Sequence, residues 1–100
     1  MSTVKILAIG RHEQILQTVV RLINNNPEWD GVGAVTDKEA VQQFDHQVID
    51  LILLCGGIES ESEENLRAYF TAHRPQVSII QHYGGGSGLL TAEIYEALKK

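Results

Sequence analysis

"VIDLILLCGG", residues 48–57, carries six apolar residues around one aspartate and then stops at a cysteine and two glycines. A continuous apolar run without polar alternation marks a strand buried on both faces, the kind found inside a parallel sheet. The glycines break it. Parallel strands cannot be joined by hairpins and need crossover connections, so this reading obliges the flanking sequence to supply helices.

Upstream, "TVKILAIG" (residues 3–10) is a second strand of the same buried type. From Glu13 to Asn24 the apolar positions Ile15, Leu16, Val19, Val20, Leu22 and Ile23 recur at helical spacing, and "NNNP" (24–27) supplies stop chemistry. "WDGVGAVTD" (29–37) is a strand thinned by two glycines, suited to a sheet edge. Thr36 or Asp37 can cap the next helix, with Glu39 three residues after Thr36 as a capping box and Ala40, Val41 and Phe44 as its inner face.

Downstream, "ESESEENLRAYFTAHRP" (59–75) opens with carboxylates that suit the positive end of a helix dipole, and places Leu66, Tyr69, Phe70 and His73 on one face before Pro75 ends it. "QVSIIQHY" (76–83) is a fourth strand and "GGGSG" (84–88) a flexible turn. Leu90, Ile94, Ala97 and Leu98 form the buried stripe of a last helix that finishes in two lysines. The order βαβαβαβα with right-handed crossovers predicts an α/β fold, an open doubly wound parallel sheet with helices on both faces.

Function in such sheets collects at the carboxyl ends of the strands. Here these are Gly10-Arg11-His12, Thr36-Asp37, Cys55-Gly56-Gly57 and His82-Tyr83-Gly84. One hundred residues fit a single domain over 1–100. A formal charge of −5 repels phosphate backbones and anionic lipid, so nucleic acid is not an expected partner. One cysteine cannot form an internal disulfide, and the first apolar run is too short and wrongly flanked for a signal peptide, which places the expected location in the cytoplasm. No run approaches the roughly 20 apolar residues of a membrane span.

From "VKILAIG" through "VGAVTDKEAVQQFDHQVIDLILLCGGI" the chain resembles the receiver domain of bacterial two-component response regulators. "DKEAVQQF" followed by "IDLILL" is similar to that family's second helix leading into its third strand, and the pattern covers roughly the first 60 to 80 residues. The resemblance implies strand order 2-1-3-4, continued in the family by a fifth strand. It also implies an acidic pair after strand one to hold magnesium, a phosphate-accepting aspartate closing strand three, a hydroxyl residue after strand four and a lysine after strand five. This chain has Gly10, Arg11 and His12 after strand one, with Glu13 a displaced single carboxylate, and these cannot stand in for two hard oxygen ligands. Cys55 occupies the aspartate position, His82 and Tyr83 follow strand four, and the chain stops before a fifth strand. The expectation is a truncated pseudo-receiver: a non-catalytic regulatory or protein-interaction module not phosphorylated on aspartate.

Without a fifth strand, "VSIIQHY" becomes an edge lacking proline or lysine to discourage pairing. A homodimer through strand four and the last helix is expected, with Val77, Ile79, Tyr83, Leu89 and Tyr95 in the contact. Two further chemistries are weighed. Gly84, Gly85, Gly86 and Ser87 expose backbone N–H groups before a helix start and, with Arg11 and His12, form a candidate anion or nucleotide site, although neither GxGxxG nor the Walker pattern is present. Cys55, with His12 or His82 as base, is a candidate for thiol chemistry.

The bland readings are preferred: the glycines punctuate a turn and Cys55 fills space. Gly56 joins the candidate rim by position. A zinc site from Cys55, His12 and His82 lacks any close-spaced ligand pair, so neither metal nor cofactor is expected. His46 and His73 sit at helix ends, the acidic tract is a solvated helix start, and Trp29, placed in the loop after "NNNP", plugs local core over the sheet edge.

Overall fold

The computed structural model describes residues 3–82 and 87–98, the side chains of 87–89 excepted. Strands β1 (Val4–Ile9), β2 (Trp29–Ala34), β3 (Leu51–Leu54) and β4 (Ser78–Gln81) alternate with helices α1 (Glu13–Asn24), α2 (Asp37–His46), α3 (Ser60–His73) and α4 (Ser87–Leu98). The strands form one parallel sheet in the order β2-β1-β3-β4.

The sheet is buried on both faces because Ile6–Ile9 of β1 and Leu51–Leu54 of β3, its central strands, are apolar at every position. Ile6, Ala8, Leu51 and Leu53 point into one core with Leu16, Val19 and Ile23 of α1 and Leu90, Ile94 and Ala97 of α4. Leu7, Ile9, Ile52 and Leu54 point into the other with Ala40 and Phe44 of α2 and Leu66 and Phe70 of α3. Two helices therefore cover each face. The capping box at α2 is complete: the Glu39 amide donates to Thr36 Oγ1 (3.1 Å), and Glu39 Oε1 accepts from the amides of Val35 (2.8 Å) and Thr36 (3.4 Å).

Two expectations need correction. Trp29 is the first residue of β2, as the strand reading of 29–37 has it, and not part of the loop after "NNNP"; it is buried, with its ring centroid 5.0 Å from that of Tyr95. The aromatic pair is held beside the C-terminal end of α1, where Asn26 Nδ2 donates to the Tyr95 hydroxyl (3.1 Å). His73 is exposed, which suits its reading as a surface residue at a helix end and removes it from the face shared by Leu66 and Phe70. Its ring stacks on Tyr69 (4.1 Å) along the helix surface, and the buried stripe contracts to Leu66 and Phe70.

Register positions the rim. Ile9, Ala34, Leu54 and Gln81 are mutually aligned across the four strands. The next residues continue the ladder, with the amides of Gly10, Cys55 and His82 donating to the carbonyls of Ala34 (3.1 Å), Ile9 (2.7 Å) and Leu54 (2.8 Å). All strands thus end at one level, and the residues just beyond their ends are brought to one surface.

Candidate functional site

That surface opens into a cleft of about 880 Å³ between α1 and α4, with Gly10, Arg11, His12, Cys55, Gly56, Gly57, Gln81 and His82 at its rim. Leu16, Val19, Leu22 and Leu90 line its apolar part. Among the candidate rim residues, Arg11, His12, Cys55, Gly56 and His82 are brought together. Tyr83, Gly84, Gly85 and Gly86 lie outside the described residues, as do the side chains of Ser87 and Leu89.

Arg11 dominates the electrostatics. Its Nη1 donates to the Val35 carbonyl (2.8 Å), Nη2 to Asp37 Oδ1 (2.6 Å) and Nε to Glu59 Oε1 (3.1 Å). One guanidinium thereby links the loop after β1 to the loops after β2 and β3. Room for it comes from Gly57, whose φ of +88° is a conformation that L side chains seldom adopt and whose added Cβ would stand 3.3 Å from Arg11 Cβ.

The ionisations reflect this geometry. The hydrogen bond to Asp37 raises the Arg11 pKa against a smaller desolvation effect, and Glu59 adds to the rise. Burial works against the Asp37 carboxylate, but hydrogen bonds from Arg11 and Ser62 together outweigh it and hold Asp37 below its usual range. Glu59 is held low by its own backbone N–H and then by Arg11. The guanidinium already serves three acceptors, so its charge is largely satisfied within the protein. That weakens the anion reading for the Arg11 side of the rim.

Cys55 is 3 % exposed and packs in the α1/α4 core. Burial, with the charge of Glu93 adding to it, pushes the thiol up to about 11. A thiol that holds its proton at neutral pH is a poor nucleophile. His12 is the exposed N-terminal cap residue of α1 and makes no side-chain capping bond. His82 is 7 % exposed, and its Nδ1 lies 2.6 Å from Glu93 Oε1 on α4. Glu93, Asp37 and Glu59 complete the site, and none was picked out from the sequence as a partner of Arg11 or His82.

Magnesium does not fit this donor set. The position after β1 offers a guanidinium, and the two nearest carboxylates are already its partners. Among the described residues no three His, Cys, Asp or Glu side chains gather to hold a metal ion, zinc included.

The candidate contact residues do not share one face. Val77 and Ile79 are half-buried against the α2/α3 core, whereas Tyr95 is 47 % exposed on the α4 side and leans on Trp29. Trp29 opens β2, at the opposite edge of the sheet from β4, so Tyr95 is turned away from the β4 edge where the expected contact placed it. At the other edge, Asn24 acts as a substitute strand for Gly31: its Oδ1 accepts from the Gly31 amide (2.7 Å) and its Nδ2 donates to the Gly31 carbonyl (3.2 Å). Among the described residues no helix is long and apolar enough to cross a membrane.

No family model matches the sequence, and no curated protein matches it. Solved structures do. The chain superposes on a two component transcriptional regulator AraC from Clostridium phytofermentans ISDg with a TM-score of 0.78 at 12% identity, covering 97% of this chain and 93% of the other. The signal receiver domain of an HD domain-containing protein from Pseudomonas fluorescens Pf-5 gives 0.74 at 20% identity, covering 97% and 92%. A response regulator receiver protein from Pseudomonas putida gives 0.71 at 19% identity, covering 97% and 81%. Identities this low establish the fold alone: the chain has the fold of response-regulator receiver domains.

Proposed function

We propose that the chain, over residues 1–100, is a receiver-fold regulatory or protein-interaction module that is not phosphorylated on aspartate. The observation that carries this reading is Cys55, a buried thiol at the end of β3 where the resemblance implies a phosphate-accepting aspartate. With Arg11 drawing the nearby carboxylates to itself, the described residues of the rim offer neither the aspartate at the end of β3 nor metal ligands for aspartyl phosphorylation. Incubation with acetyl phosphate and Mg²⁺ is expected to leave the intact mass unchanged, and an added phosphoryl group on an acidic side chain would refute the reading.

The module acts as a homodimer. Asn24 blunts the β2 edge at Gly31, whereas β4 carries two isoleucines and neither proline nor lysine. A twofold pairing of β4 with its copy would draw Val77 and Ile79 into the contact on one face. Tyr95, packed on Trp29 at the β2 side of the sheet, stays outside that contact. Light scattering at micromolar concentration should give twice the chain mass, and Ile79→Lys should halve it; a wild-type monomer at those concentrations would end the proposal.

A further inference from the structure

The Val35 carbonyl, Asp37 Oδ1 and Glu59 Oε1 are three oxygens from two separate loops, all of them acceptors around one guanidinium at the carboxyl end of the sheet. Two carboxylates and a backbone carbonyl are the hard donors that divalent cations of the magnesium and calcium type prefer, with water completing the shell. In this chain a guanidinium stands among them. Its planar fork satisfies each oxygen with a separate N–H. Because Arg11 lies two residues beyond the end of β1, it is anchored to the sheet and cannot leave as an ion can.

We propose that Arg11 is a tethered replacement for a divalent cation, clamping the loops after β2 and β3 to the loop after β1 so that the rim keeps one arrangement with or without metal. The inference rests on the reading of the rim as one that takes no phosphoryl group, and it supplies that reading with a regulatory consequence. Divalent metal is no input to this module. Signals must reach it through its surfaces.

Charge makes the replacement testable. With Arg11 present the cluster of Arg11, Asp37 and Glu59 carries one net negative charge; without it, two carboxylates face each other and a divalent ion is the natural neutraliser. Arg11→Met keeps much of the aliphatic stem and removes the fork. Thermal melts of the full chain would be compared in EDTA, MgCl₂ and CaCl₂, with ionic strength matched by NaCl.

Wild type is expected to melt at one temperature in all three. Arg11→Met should melt lower in EDTA and regain on the order of 5 °C at several times the cation's dissociation constant. Adding Asp37→Asn to Arg11→Met should abolish that recovery. The proposal is overturned if wild type gains as much from either cation as Arg11→Met does, or if a folded Arg11→Met ignores both. Should the variant be unfolded in EDTA, refolding by either cation supports the proposal and failure to refold overturns it. A phosphoryl group on wild type would sink the earlier reading while leaving these melts to decide the role of Arg11 separately.

Discussion

Phe70→Ala is expected to cost about 3–5 kcal/mol, the range for truncating a buried aromatic. Phe70 is fully buried, and with Leu66 it makes up the whole buried stripe of α3. Its ring lies 4.7 Å from that of Phe44 on α2, over which the Arg74 guanidinium sits at 5.7 Å. Losing the ring therefore loosens α3 from both the sheet and α2. Domains of this kind hold only about 5–15 kcal/mol in total, and the melting temperature should fall by more than about 12 °C. Urea melts should show a lower midpoint at an unchanged slope. Tyr69→Phe, which removes only a hydroxyl bonded to Asp45 (2.8 Å), should cost far less. Near-equal losses at the two positions would mean that α3 is not docked through Phe70.

The contrast between those neighbouring residues shows what periodicity can and cannot read. Apolar runs announced β1, interrupted only by Lys5, and β3 correctly, since a strand covered on both faces has little polar side to display. The capping box was legible because its chemistry is local to Thr36 and Glu39. Facing on α3 was not. Residues 66, 69, 70 and 73 fit one stripe by spacing, yet His73 reached a better partner in the Tyr69 ring on the outside. The side of the sheet taken by α4 was likewise unfixed, because crossover handedness constrains helices that join two strands and no described strand comes after α4.

At the rim, strand ends were legible and partnerships were not. Arg11 meets Asp37 and Glu59 across 26 and 48 residues of sequence, distances that only the sheet order collapses. Glu59 read as part of a solvated acidic tract, and charge complementarity with an arginine at the end of β1 was the signal that would have singled it out. Glu93 sits one position before fully buried Ile94, so hydropathy hid a carboxylate that bonds a buried histidine. Cys55, conspicuous in the sequence, is therefore chemically quiet, while Arg11 organises the site.

Gly31→Val is expected to cost about 1–3 kcal/mol, the range for overpacking at a fixed contact. A Cβ at Gly31 would stand 2.8 Å from Ile23 Cγ2 and 3.1 Å from Ile23 Cβ. Ile23 is fully buried and branched at Cβ, so it has no flexible tip to swing aside. Helix α1 must retreat from β2 instead, stretching the Asn24 bonds that close the sheet edge. The strand preference of valine works in the opposite direction but spans only about 1 kcal/mol across the whole scale. Ile23→Ala alone should cost about 2–5 kcal/mol. If the obstruction is the Ile23 side chain, the double variant must lose less than the two single losses combined, by about 1 kcal/mol or more in chemical denaturation. Additivity within about 0.5 kcal/mol, as for sites that do not touch, would show that α1 does not approach β2 this closely.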